Sequence, residues 1–287
     1  MTGNQNVRVR EMTPEDLDFA TALTHTAGWS SESREVFEAF LEYDPYGCFI
    51  AETGGEKAGI CVATKYLNNG FIGELVVSKN MRVFGIGQIL FQKALDYLLK
   101  SQMKNIYLDG DLNAVSYYES MGFRKICRSL RFRGKIKGKM HAHVRRLHAD
   151  DLKLLCKADR ELFGDDRGFF LRRRAENTLG MCLAAEREGR LSGWIMSRPG
   201  DGLLAIGPWA APHGEEDAAC LLEHLANENG TAIFRIGVLE KNEAAARLLR
   251  TWTGLQETIH SWFMVRGASD RLGNHPALYA IGSGAKG

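Results

Sequence analysis

Residues 75–90, Leu-Val-Val-Ser-Lys-Asn-Met-Arg-Val-Phe-Gly-Ile-Gly-Gln-Ile-Leu, run from a β-branched strand through a short basic turn into a helix of apolar periodicity. A chain that turns this way lays a helix back on a sheet, which makes it an α/β protein. The turn itself suits a phosphate. Glycines at 85 and 87 let the backbone approach an anion closely, the first amides of the helix point along its axis, and the helix dipole favours negative charge there. Arg82 supplies a counter-charge. The same residues also fit an ordinary helix start, so the turn needs a second signal.

Residues 105–123, Asn-Ile-Tyr-Leu-Asp-Gly-Asp-Leu-Asn-Ala-Val-Ser-Tyr-Tyr-Glu-Ser-Met-Gly-Phe, provide it. They read as a buried strand, a helix over about 112–120 and a glycine stop feeding another strand. Two other phosphate folds are excluded by pattern. A nucleotide P-loop needs Gly-x-x-x-x-Gly-Lys-Ser/Thr, and a dinucleotide fold needs a third glycine where this chain has Leu90.

The order strand, Arg82-x-x-Gly85-x-Gly87, helix, strand, Asn113-Ala-x-x-x-Tyr118-Glu-x-x-Gly122-Phe123 resembles the GCN5-related N-acetyltransferase (GNAT) superfamily. The resemblance implies that acetyl-CoA binds the first block, with Leu75, Val76 and Val77 offering backbone groups to the pantetheine arm and the thioester carbonyl. It implies pyrophosphate binding by the amides of Arg82, Val83, Phe84, Gly85, Ile86, Gly87 and Gln88. Tyr118 matches a tyrosine that protonates or positions the departing sulfur; its other reading is a tyrosine packed on the sheet, a place Tyr117 beside it is equally able to fill. Asn113 either caps its helix or contacts the coenzyme. The implied activity is transfer of an acetyl group to a primary amine, with small molecules the expected acceptors and free coenzyme A the product. An acyl-CoA-binding regulatory or scaffold protein with reduced turnover is the alternative.

Glu74, in the same strand, is the leading general-base candidate, acting directly or through water. Strand alternation sets it opposite Leu75, and the pattern leaves open whether it faces substrate or solvent. Trp29, Tyr46 and Trp209 are candidates for an amine pocket through stacking or cation-π contact, or else core aromatics. His25 reads as a surface histidine after a helix.

The second half repeats the element order of the first. Ala149-Asp150-Asp151 echoes Pro14-Glu15-Asp16, and residues 242–255 parallel Asn113 to Phe123, so an internal duplication is the better reading. The expected architecture is two tandem GNAT-like α/β domains, each a mixed, mostly antiparallel sheet flanked by helices. They should span 1–136 and 137–287, with a flexible tail from about 268. In the second copy the turn reads Gly207-Pro-Trp-Ala-Ala-Pro-His-Gly-Glu-Glu-Asp217, and Leu248 or Leu249 stands where the first copy has Tyr118. Prolines lack amide donors and acids oppose a pyrophosphate, so this copy should be degenerate. It resembles the acetyltransferase-like C-terminal domain of the YitH type through its Ile206-Gly-Pro strand end and its closing Trp262-Phe-Met-Val-Arg-Gly267. It should serve as a wall of the acceptor pocket or as a dimer surface, in a monomer or homodimer.

Composition narrows the partners. A net charge of +2 spread over both halves argues against a nucleic-acid surface. The basic stretch Arg131 to Lys139 reads as a solvated linker or an anion contact. The six cysteines stand singly with no metal-ligand spacing, which suits buried thiols in a reducing compartment. No run is long enough to span a bilayer, and residues 1–6 lack a leader pattern, so no membrane partner and a cytoplasmic location are expected.

Overall fold

The computed structural model describes residues 7–287, so Met1–Asn6, read above for a leader, lie outside the described residues. Contacts divide the chain into two compact units, 1–108 with Lys286 and 109–285 with Gly287. In the first unit, strands β1 (Arg8–Glu11), β2 (Cys48–Thr53), β3 (Glu56–Lys65), β4 (Asn69–Val77) and β5 (Asn105–Gly110) follow one another in space. All pair antiparallel except β4 with β5, which is parallel. Helices α1 (Leu17–Thr26) and α2 (Arg34–Tyr43) precede β2, and α3 (Ile86–Lys100) makes the crossover from β4 to β5. The buried residues Ile86, Leu90, Phe91, Ala94, Leu95 and Leu98 recur at helical spacing and form the apolar stripe of α3. Its start is pulled tight to the sheet at Gly59, where a Cβ would meet the Val76 carbonyl oxygen at 2.9 Å and Leu90 at 3.0 Å.

The second unit holds α4 (Val115–Ser120) and the strands β6 (Arg124–Gly134), β7 (Val144–Arg146), β8 (Leu183–Arg187), β9 (Arg190–Gly200), β10 (Leu203–Ala210), β11 (Ile233–Leu239), β12 (Leu255–Arg266) and β13 (Leu278–Ala280). Their order is β12-β6-β11-β10-β9-β8-β7, with β13 on β10. Helices α5 (Asp151–Phe163), α6 (Gly168–Thr178), α7 (Glu215–Glu228) and α8 (Glu243–Arg250) flank them. Here too, among the described residues, the parallel pair β10 with β11 joins strands that pair antiparallel.

The duplication extends to individual ion pairs. Arg10 donates to Asp16 at 2.6 and 2.9 Å and to Glu52 at 2.9 Å, while the Thr13 amide donates to Asp16 at 2.9 Å. Arg145 donates to Asp151 at 2.7 and 3.0 Å and to Glu186 at 2.7 Å, while the His148 amide donates to Asp151 at 2.8 Å. The separations match at six and three residues in both copies. Lys57 is the addition in the first copy, pairing with Asp16 at 2.5 Å. Burial alone would raise the Asp16 pKa. The bonds from Arg10, Lys57 and Thr13 outweigh it and hold the carboxyl well below the usual carboxylate range.

Three expectations are modified. The repeat of element order turns over near 136, whereas contacts divide at 108, because β6 is hydrogen-bonded to β11 on one side and β12 on the other. The basic stretch is not all linker. Arg131 lies within β6 and pairs with the buried Asp109, whose other oxygen accepts from Ser261, and it donates to Ser129 at 2.6 Å. The segment after 267 is not a loose tail, since β13 pairs with β10 and Leu278, Tyr279 and Ala280 are buried.

Candidate active site

The site residues of the first unit are set by an irregularity in β4. Val62 faces Gly73 and Ile60 faces Val76, so Glu74 and Leu75 share the single partner Cys61 in a β-bulge. Glu74 takes the left-handed conformation this demands, with φ +50°, rare for a residue with a side chain. Its side chain is buried, at 3% exposure, which removes the reading of Glu74 as an outward surface charge. Leu75 is half-buried beside it.

The bulge coincides with a parting of strands. Pairing of β4 with β5 runs from Asn69 opposite Asn105 to Ile72 opposite Leu108, whereas β4 continues to Val77. Residues 73–77 therefore carry main-chain groups on an edge that β5 no longer covers. A 3-10 turn over Lys79–Phe84 follows, and Gly85 at φ +70° redirects the chain into α3. Gly85 must be glycine for this conformation at little cost. Beyond Gly85 the Gln88 and Ile89 amides donate to the Gly85 carbonyl at 3.0 and 3.2 Å, so the amides of Ile86 and Gly87 stand at the N-terminal end of α3. Arg82 is exposed, and its Nε donates to the Val77 carbonyl at 3.2 Å, which keeps its guanidinium at the head of this turn. Phe84 is exposed and Gln88 is exposed on the first turn of α3.

The second block falls in the second unit. Tyr118 is buried at 8% exposure, with its ring 6.4 Å from Phe123 in an edge-on contact and 5.8 Å from Tyr117. Asn113 is exposed and is not the cap of its helix. Asp111 takes that part, accepting from the Asn113 amide at 2.9 Å.

The three aromatics separate. Trp29, in the loop between α1 and α2, is 37% exposed and Tyr46, in the turn before β2, is 68% exposed. Trp209 is fully buried in the second unit with its ring 5.2 Å from Tyr279, so it is a core residue and no pocket wall. Sequence reading missed Glu32, a buried carboxyl whose amide donates to the Trp29 carbonyl at 3.0 Å just before α2. His25 is exposed in the last turn of α1. The cysteines offer no nucleophile, since burial pushes all six thiols above their ordinary value. Among the described residues no group of three or more His, Cys, Asp or Glu side chains could hold a metal ion. No helix among them is long and apolar enough to cross a membrane.

A strand ending in a glycine turn that leads into a helix occurs here in the order the resemblance implied, and the structure adds the bulge in β4 and its parting from β5. The profile of the Acetyltransferase (GNAT) family matches residues 14–123, and that of the Acetyltransferase (GNAT) domain matches residues 155–280. This chain is a tandem protein of the GNAT superfamily. Among curated proteins, the GNAT chain is 29% identical over 104 residues to N-alpha-acetyltransferase 30 of Dictyostelium discoideum, a match spanning 34% of this chain and 56% of that relative. A candidate acetyltransferase from Pyrococcus horikoshii superposes with a TM-score of 0.82 at 22% identity, over 99% of this chain and 96% of the other. A GCN5-related N-acetyltransferase from Sphaerobacter thermophilus gives 0.63 at 15%, over 93% and 98%. A tandem GNAT protein of the clavulanic acid biosynthesis pathway gives 0.61 at 14%, over 92% and 100%. At these identities the superpositions speak for the fold, and the GNAT reaction, acetyl transfer from acetyl-CoA, is the general chemistry of the superfamily.

The GNAT chain's second copy has a shorter turn. Eight residues, 78–85, separate β4 from α3, but only four, 211–214, separate β10 from α7. The acids at the start of α7 are not bare either. Glu216 and Asp217 pair with Arg187, and Glu215 pairs with Arg247 at 2.6 Å. The second copy thus differs from the first in the length of this turn, while its acids are already paired.

Proposed function

We propose that the chain transfers the acetyl group of acetyl-CoA to the primary amine of a small molecule by direct attack in a ternary complex. The observation that carries this reading is β4 outrunning its pairing with β5 and ending in a glycine-redirected turn at the N-terminus of α3. Acetyl-CoA would supply an activated acyl group as its thioester. The uncovered main chain of Leu75, Val76 and Val77 would hold the pantetheine arm in extended pairing and orient the carbonyl. Arg82 and the amides from Val83 to Gln88 would hold the pyrophosphate.

Glu74 is the group to take a proton from the substrate ammonium, directly or through one water, freeing the neutral amine that attacks, because a buried carboxyl beside the open edge favours a cation and excludes competing water. The carbon–nitrogen bond forms as the carbon–sulfur bond breaks, and the thiolate leaves with a proton from the Tyr118 hydroxyl. That role for Tyr118 rests on its place in the Asn-Ala-x-x-x-Tyr-Glu-x-x-Gly-Phe motif. Trp29 and Tyr46 are the remaining aromatic candidates for contacting the acceptor. The YitH-type affiliation of the second half belongs to the same reading and rests on its strand-end and closing motifs.

Free-thiol release measured with acetyl-CoA and a panel of polyamines, amino sugars, amino acids and peptides tests the proposal, alongside calorimetric binding of the coenzyme. Turnover with a primary amine is expected. Tight binding without turnover on any amine would favour the acyl-CoA-binding regulator, and absence of binding would overturn both readings.

A further inference from the structure

The bulge of β4 has a twin. In β10, Ile206 faces Ser197 and Trp209 faces Ile195, so Gly207 and Pro208 share Met196 as Glu74 and Leu75 share Cys61. The first residue of each bulge has a positive φ, +50° at Glu74 and +133° at Gly207. Pairing of β10 with β11 ends at Ile206 opposite Ile236, while β10 runs on to Ala210. The second copy thus has the same parted strands as the first, but its gap is filled.

The filler is residues 277–282. Ala280 pairs with Trp209 and Leu278 with Ala210, both antiparallel, and the Ala211 amide donates to the Ala277 carbonyl at 2.9 Å. On the far side, the Ile281 amide donates to the Gly237 carbonyl of β11 at 2.9 Å, so the segment bridges both strands. Asn242, the counterpart of Asn113 in the sequence repeat, donates its side-chain amide to the Leu278 carbonyl at 2.8 Å. Arg174 donates to the Gly282 carbonyl at 3.2 Å. The fit is close: a Cβ on Gly207 would lie 1.9 Å from the Ile281 carbonyl oxygen, and one on Gly237 would lie 3.1 Å from the Ile281 side chain.

We infer that residues 277–282 are a built-in peptide ligand of the second copy, held by main-chain pairing in the groove that the first copy leaves open for a thioester arm. The groove takes an extended peptide by strand addition, and its occupant is this segment of the same chain. The occupied groove is closed to coenzyme, so one chain offers one coenzyme site. Naming the groove rests on the coenzyme reading of the first copy, but the strand's occupancy does not.

Hydrogen exchange on the full-length protein tests it. Without ligand, the Ala211 and Ile281 amides should exchange at the slow rate of the flanking strands, and saturating acetyl-CoA should leave them unchanged with a calorimetric stoichiometry of one. Ile281→Pro deletes the donor to Gly237 without adding bulk against β10, and should speed exchange over 208–212 and 277–282 by roughly 5- to 10-fold, the worth of one hydrogen bond. Gly207→Ala should expel the segment and abolish its protection, while β11 keeps its own. Should Gly207→Ala fail to fold, Ile281→Pro gives the reading. Exchange of 277–282 at free-peptide rates in the wild type would overturn the inference. So would a stoichiometry of two with coenzyme stripping the segment's protection. A protected segment in a protein that binds no coenzyme would sustain the strand ligand and refute only the coenzyme reading of the first copy.

Discussion

Arg82→Glu separates a phosphate cradle from a plain helix start. Arg82 is exposed and its Nε donates to the Val77 carbonyl at 3.2 Å, so the fold should lose no more than about 1 kcal/mol. For the ligand the change is larger. At about 5 Å through water each pair of unit charges interacts by ~0.8 kcal/mol. Reversing one charge opposite a doubly charged pyrophosphate alters four such increments, or ~3 kcal/mol, which is roughly a 200-fold loss of affinity before screening. At physiological ionic strength, with a Debye length of about 8 Å, a loss of roughly 10- to 50-fold should remain. Calorimetric titration with coenzyme A at two salt concentrations, on protein whose melting temperature is checked in parallel, measures it. The penalty should shrink as salt rises. Affinity within about threefold of wild type at low salt, in a folded variant, would place the pyrophosphate elsewhere and leave the turn as a helix start.

Three further outcomes are expected. Tyr118→Phe should lower single-turnover acetyl transfer by roughly 10- to 1000-fold with little change in coenzyme affinity, and an unchanged chemical rate would reduce Tyr118 to a packing residue. Glu74→Gln should cost roughly 100-fold or more in transfer at neutral pH, with less loss as pH rises and the amine deprotonates unaided; a flat pH response would argue against a proton-accepting role. The Asp16 carboxyl is held below its unfolded value of about 3.9, so its contribution to stability is complete above about pH 4 and fades as pH falls toward the folded value. Asp16→Asn should therefore lower stability at pH 7 by roughly 2 kcal/mol, discounted because Arg10 and Lys57 are partly exposed, and flatten the acid limb of the melting curve; parallel curves for the two proteins would refute it.

The glycine turn after β4 and the strand–helix block around Tyr118 could be read from the sequence because their signals are local. A positive-φ glycine, a basic residue and a helix start lie within a few positions of one another, and so do the residues around Tyr118. Glu74 could not be oriented, because a bulge interrupts the alternation that assigns strand faces. Trp209 looked like a rim aromatic beside turn residues, yet β10 is covered on both faces and the ring is core. The last segment, rich in glycine and alanine, carries little periodicity and reads as loose. Those small residues are what allows a strand to enter a narrow gap, and the partners that hold it lie far away in sequence. Helix α6 was hidden by its run of arginines at 172–174, which dilutes the apolar stripe.

The position of β6 bears on how this protein can be divided. A fragment cut where the repeat turns over, near residue 136, would carry the whole coenzyme turn and the tyrosine block but would lose β11 and β12, the strands hydrogen-bonded to β6 on its two sides. It would expose an 11-residue strand with alternate apolar residues and two bare edges, a template for edge-to-edge association. Such a half should be recovered as aggregates, and mixing it with the separately made remainder should rescue it by supplying the missing neighbours. The two copies are therefore not detachable halves; the first, proposed to carry the chemistry, ends in a strand that the second copy's strands hold on both sides.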